Sequence, residues 1–199
     1  DTNYWQTTDH FKLIATQFYG WTVDFKQLDD SPHSDVRSDL RTGITLDVYS
    51  NGTNSIPSSD KTYTNNYNRI RQVNTLLQQA EGYAAPADIE TSVGEAHFFR
   101  AYCYFDLLQV YGDVIITRTP LDIDSPEMQM ARNSRDEVVD FILEDLEEAI
   151  RLLPEANEIS SKDEGRLSSQ AASAFLSRVA LYEGTWQKFR NGGQNNDRS

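Results

Sequence analysis

Apolar residues recur at three- and four-residue spacing along most of this chain, a pattern that predicts helices. The clearest is "SRDEVVDFILEDLEEAIRLLP". Ser134 stands three residues before Glu137, the spacing of a capping box. The stripe Val138, Phe141/Ile142, Leu146, Ala149/Ile150, Leu153 follows, and Pro154 ends it. Glu144, Asp145, Glu147 and Glu148 fall largely on the opposite side and read as a solvated face. In "GEAHFFRAYCYFDLLQVYGDVII", residues 94–116, Phe98, Tyr102, Phe105 and Leu108 share one wide face, with Ala101 and Leu107 at its flanks. That density reads as core rather than as an aromatic binding platform. Ser92 and Glu95 have capping-box spacing, a start after Pro86 is the other option, and Gly112 is the natural stop.

Three further segments are helical. "LSSQAASAFLSRVALYEGTWQKF" carries the small residues Ala171, Ala172, Ala174, Ser177 and Ala180, which allow a neighbouring helix to approach closely. "YTNNYNRIRQVNTLLQQAEG" places Tyr63, Tyr67, Ile70, Asn74 and Leu77 on one stripe, with Asn74 expected to satisfy buried backbone groups. The first segment, Tyr4 to about Phe25, is weaker. Between the first two helices lies a long polar stretch in which Leu46 and Val48, followed by Asn51-Gly52, suggest a short strand and a turn. "DVIITRTPLDIDSPEMQMAR" reads as a second, mostly extended connection. "EEAIRLLPE" followed by "GRLSSQAASAFLSRVALYEG" reads like the junction of two tetratricopeptide repeats, without a clean period of about 34 residues. The expected fold is therefore all-α: tetratricopeptide-like antiparallel helix pairs with long irregular loops and at most minor strand content. Residues 1–190 are expected to form the helical domain and 191–199 a disordered tail or truncated linker.

Charge narrows the function. A net charge of −13 over 199 residues, with no basic cluster, argues against nucleic acid and anionic membrane surfaces as partners. Cys103 is the only cysteine, which excludes an intrachain disulfide and a Cys-based zinc site and reads as a small buried apolar residue. No apolar run is long enough to span a bilayer.

No catalytic constellation, metal site or cofactor motif emerges. His10, His33 and His97 are scattered without partners at metal or triad spacing, and His97 reads as a core or boundary residue. Asp29-Asp30 and Asp122/Asp124 have the chemistry of calcium or glycosidase carboxylates, but acidic residues are so common here that such pairs arise by chance. Gly192-Gly193 lacks the context of a phosphate loop, and Asn51-Gly52-Thr53 reads as a turn rather than a glycosylation site.

"EAHFFRAYCYFDLLQVYGDVIIT", "NSRDEVVDFILEDLEEAIRLLP" and "GRLSSQAASAFLSRVALYEGTWQKF", in that order, resemble the N-terminal half of SusD-like (SusD/RagB) proteins of Bacteroidetes. The resemblance reaches weakly upstream to "YNRIRQVNTLL". It implies a non-enzymatic lipoprotein on the extracellular face of the outer membrane. Its partners would be an oligosaccharide or polysaccharide and a SusC-like TonB-dependent transporter. The family's lipidated N-terminal cysteine is not among these residues, so membrane contact is expected only through an anchor this chain does not contain. Family members are longer, so the chain reads as an N-terminal domain. The competing reading is a tetratricopeptide-like scaffold that docks a partner without binding sugar; a carboxylate-dependent glycosidase is a third.

Sugar recognition requires an exposed ring to lie on the apolar face of a pyranose and polar groups to bond its hydroxyls. The long polar stretch supplies these types together in Asp39, Arg41, Tyr49, Asn51, Asn54, Tyr63 and Asn65, the expected glycan-binding residues. The resemblance favours this region, because the family builds its glycan sites from loops on the helical scaffold. The periodic segments together predict a far-ultraviolet circular dichroism spectrum with more than about half helix, against about a third in an average globular protein. A strand-dominated spectrum would contradict the fold.

Overall fold

Phe98, Phe99, Arg100 and Ala101 make one complete helical turn, and all four are buried. The helix that carries them, α3 (Glu90–Tyr111), is therefore enclosed on every side at this turn. In the computed structural model, which describes residues 4–22, 48, 50–122, 124–125 and 129–190, α3 forms the axis of the domain. Before it come α1 (Thr8–Phe18), a 3₁₀ turn (Tyr19–Trp21), α2 (Lys61–Glu81) and a second 3₁₀ turn (Pro86–Ile89). After it come α4 (Arg135–Leu152) and α5 (Ser169–Arg190).

From α2 to α5, successive helices pair antiparallel. Asn66 and Asn74 of α2 bond Asp106 and Arg100 of α3, so chain order reverses between the two helices. Arg100 meets Asp145 of α4, and Gly94 abuts Leu152 and Leu153 at the far end of α4. Arg135 at the start of α4 pairs with Glu183 late in α5. The aromatic run is core, as its spacing predicts: Phe105 meets Phe175 and Tyr182 of α5 edge-on, and Tyr104 meets Phe141 of α4. Phe99 receives Phe18 of α1 and Tyr19 of the following turn. Cys103 is fully buried in this packing, and burial pushes its thiol up to about 12.

The capping box at α4 forms as predicted: the Ser134 and Glu137 side chains satisfy each other's backbone amides. The Ser92/Glu95 pair does not. α3 begins at Glu90, which leaves Ser92 inside the helix and Glu95 fully buried against Arg166 and Tyr19. The buried face of α2 is rotated from the expected stripe: Asn66, Ile70, Val73, Asn74 and Leu76 are buried, Tyr67 and Leu77 are half-buried, and Tyr63 is exposed. Of the small residues on α5, only Ala172 is buried; Ala174, Ser177 and Ala180 face outward, because α5 packs through Ala172, Val179, Glu183 and Gln187. The acidic run on α4 is also split, since Asp145 points inward while Glu144 and Glu147 are exposed.

Among the described residues there is no strand, only an isolated bridge between Val114 and Asn133 in the connection after α3. Polar side chains from the helices hold this connection. Tyr67 Oη donates to the Ile115 carbonyl at 2.8 Å, and the Thr117 amide donates to Tyr104 Oη at 2.8 Å. Asn74 Nδ2 donates to the carbonyls of Thr117 and Thr119, the backbone role predicted for it. Leu46, and with it the expected strand, lies outside the described residues, as do 23–25 at the end of the predicted first helix and the 191–199 segment. The turn at Asn51-Gly52 is present, with Gly52 at φ 71° and the Thr53 amide donating to the Val48 carbonyl at 3.0 Å.

A Cβ at Gly94 would lie 3.0 Å from Leu152 Cβ and 3.0 Å from Leu153 Cγ. Gly94→Val is expected to lower stability by about 1–3 kcal/mol through overpacking. Chemical denaturation measures this; an unchanged midpoint would show that the ends of α3 and α4 do not close as described.

Candidate functional site

Of the residues expected to contact a glycan, Asp39, Arg41 and Tyr49 lie outside the described residues. Asn51 serves the turn: its Oδ1 accepts from the Thr53 amide at 2.9 Å and from Thr53 Oγ1 at 2.6 Å. Asn54 is exposed on the segment leading to α2, and Asn65 is exposed on the helix itself. Tyr63 and Asn65 are two positions apart, about 200° round the helix, so the fold does not bring them to one face.

Tyr63 does gather other groups. Asp60 caps α2, its Oδ1 accepting from the amide of Thr62 at 2.7 Å and from Tyr63 at 3.4 Å. This orients the first turn and sets Tyr63 against two further rings, Tyr67 at 4.6 Å and Tyr111, edge-on, at 5.3 Å. Desolvation opposes the charge on Asp60, but the nearby Tyr111 hydroxyl and the hydrogen bonds from the Thr62 and Tyr63 amides outweigh it, holding its pKa below the usual carboxylate range. Burial pushes the Tyr67 phenol up, so it remains a donor to Ile115. The result is a ring 36% exposed beside an ionised carboxylate and a tyrosine pair. Such a surface suits the apolar face of a pyranose, with acceptors and donors at its edge for hydroxyls.

Asp60, Tyr67 and Tyr111 were not among the expected site residues. Asp60 directly before the helical run of α2 is a local capping signal for one of them. Tyr111 has none, since it comes from the far end of α3, 48 positions after Tyr63.

The remaining polar clusters are structural in their geometry. Asp145 accepts from Arg100 Nε at 2.8 Å and Nη2 at 2.7 Å, and its Oδ1 lies 2.7 Å from His97 Nδ1. His97 therefore sits at the core boundary, as predicted, tied to a carboxylate that the acidic pattern of α4 assigned to solvent. Glu95, fully buried, accepts from Arg166 and, at 2.5 Å, from Tyr19 Oη. Among the described residues, no group of three or more His, Cys, Asp or Glu side chains is arranged to hold a metal ion.

Desolvation raises the Asp145 pKa, yet hydrogen bonds from Arg100 and His97 and the positive charge of Arg100 prevail and hold it below 3.8. A carboxylate with a depressed folded-state pKa contributes stability that is present above its unfolded value, near 3.8 here, and is lost as pH falls through the folded value. Asp145→Asn is expected to cost about 3–5 kcal/mol at neutral pH, because it strands Arg100 in the core. It is also expected to flatten the acid limb of the stability–pH curve below that value, read by urea titration at stepped pH. Equal slopes in wild type and variant would contradict the assignment.

The comparisons with known proteins converge. A family profile described as starch-binding and associating with the outer membrane, of the SusD-like group, matches residues 8–181, the span from α1 into α5. A SusD-like protein of Bacteroides ovatus is 31% identical over 122 residues, covering 61% of this chain and 20% of that protein. The chain thus spans about a fifth of that relative's length. Among solved structures, a SusD-like protein from Bacteroides fragilis superposes with a TM-score of 0.76 at 28% identity, over 94% of this chain and 37% of the other. A laminarin-binding SusD-like protein superposes with a TM-score of 0.62 at 29% identity, over 72% of this chain and 31% of its own. With the profile covering all but the ends of the chain, and with these helical relatives, the chain belongs to the SusD-like family.

Proposed function

We propose that this chain is the helical N-terminal part of a glycan-binding protein of an outer-membrane polysaccharide uptake system. The protein works with a SusC-like TonB-dependent transporter. The observation that carries this reading is the family match from α1 into α5, joined to a structural relative at 29% identity that binds laminarin. The surface around Tyr63 supports it, since it offers an exposed ring and an adjacent carboxylate. The chain binds and positions glycan and does not cleave it. The outer-membrane association in the family description supports placing it at the cell surface through a lipid anchor. No helix among the described residues is long and apolar enough to cross a membrane. The transporter partnership is tested by detergent extraction of the intact outer membrane and recovery of a TonB-dependent barrel with the protein.

For binding itself, Tyr63→Ala and Tyr49→Ala are expected to weaken affinity of the complete protein for laminarin or starch oligosaccharides by about tenfold, near 1.4 kcal/mol. The melting temperature should hardly move. Phe105→Ala is expected to cost about 3–5 kcal/mol of stability instead, as large core deletions do. Calorimetric titration and thermal melting on the three variants check this. Loss of affinity in Phe105→Ala at an unchanged melting temperature would reverse the assignment of core and site.

A further inference from the structure

A cleft of about 500 Å³ opens between the C-terminal half of α2 and that of α4, over the N-terminal half of α3. It lies apart from the Tyr63 surface: Gln78 on its wall is fifteen residues along α2 from Tyr63, about 22 Å along the axis. Its volume falls in the range of small-molecule pockets, about 300–1,000 Å³. We propose that this cleft is a second sugar subsite, taking an uncharged mono- or disaccharide unit; the proposal rests on the glycan-binding reading above.

Three features of the lining point to that class of ligand. One wall is aliphatic, formed by Leu77, Ile89, Val93 and Leu152, and suits the C–H face of a pyranose better than a hydrated ion. The floor is polar and rigid. Arg100 is locked on Asp145 and on Asn74 Oδ1, and His97 is held by Asp145 through Nδ1 with its side chain 18% exposed. With Nδ1–H donating to the Asp145 carboxylate, Nε2 of the neutral ring is left for a ligand, and a sugar hydroxyl can donate to it. Fixed polar groups of this kind bind without ordering cost, which favours affinity.

The third feature is charge. Each lining arginine is already matched: Arg100 by Asp145, Arg118 by Glu144 at 2.7 Å, and Arg151 by Glu148 at 2.5 Å. Glu81 and Glu90 add two carboxylates to the lining without a further cation. The cleft therefore disfavours uronate and sulfated units, while its carboxylates, guanidinium edges and the Gln78 amide all bond neutral hydroxyls. There is no aromatic platform among the lining residues apart from the edge of His97, so the subsite is weaker than one built on a tryptophan. It fits a second, loosely held point on a polymer gripped elsewhere.

The test is an amide chemical-shift titration of the complete protein with laminaritriose, maltotriose and an oligoglucuronate. The expected result is perturbation at Gln78, Val93 and Arg151 by a neutral trisaccharide. Tyr63→Ala should retain it, Gln78→Trp should abolish it by filling the mouth, and Glu81→Ala should weaken it about fivefold. Gln78 and Glu81 are exposed, and unchanged melting of both variants separates site loss from unfolding. Shifts confined to residues 50–65 and indifferent to Gln78→Trp would overturn the cleft while leaving glycan binding intact. Absence of shifts anywhere with all three probes would remove both readings. Preference for the oligoglucuronate would overturn the neutral class.

Discussion

One buried charge pair organises this domain. Arg100 and Asp145 are 5% and 1% exposed, so both charges are withdrawn from water, and each is tolerable only because its partner and the surrounding polar groups are in place. Asp145 comes from α4, Arg100 from α3, and Asn74, which accepts from Arg100 Nη1 at 2.8 Å, from α2. The interaction thus specifies how three helices are rotated and registered about the axis, where apolar packing alone would tolerate several solutions. Breaking it leaves an uncompensated charge in the core, a larger effect than the loss of one contact.

The same residues carry the constraint outward. Asn74 turns its Nδ2 to the carbonyls of Thr117 and Thr119, and Tyr104 from the middle of α3 accepts from the Thr117 amide. With Tyr67 on Ile115, four backbone groups of the connection after α3 are satisfied by side chains of α2 and α3. That arrangement replaces the hydrogen bonds a strand would have supplied and keeps an irregular segment in one place against the core. At the other end, Arg166 and Glu95 tie the entry to α5 onto α3, and Arg166 Nη1 reaches Thr16 of α1 at 2.8 Å. Two charge clusters, one toward each side of α3, thereby fasten α1 to α4 and the entry to α5.

What was legible in the sequence was whatever is encoded locally. The helices α2 to α5, the capping box at Ser134, the stop at Gly112 and the burial of Phe98 and Phe105 follow from spacing within a turn or two. Asp145 was misassigned although 141, 145 and 149 lie on one face, because its three acidic neighbours Glu144, Glu147 and Glu148 suggested a solvated side. The partner that makes its burial tolerable stands 45 residues away. Ser92 and Glu95 failed for the same reason, since Glu95 answers to Arg166, 71 residues on. On α5 the small residues indicated that a helix can approach closely and said nothing about which side it takes. At the candidate surface, residue type suggests Tyr63, while Tyr111 joins it only through the antiparallel return of α3.

Cys103 has a consequence of its own. A single thiol on the surface of a protein facing an oxidising medium invites disulfide-linked dimers and mixed adducts. Here the thiol is sealed within α3 and held protonated, and exchange chemistry needs an accessible thiolate. The domain is therefore chemically silent toward thiol reagents while folded and reactive once opened. Its folded state can be monitored by a maleimide that reports every unfolding event, and an introduced surface cysteine can carry a label free of background.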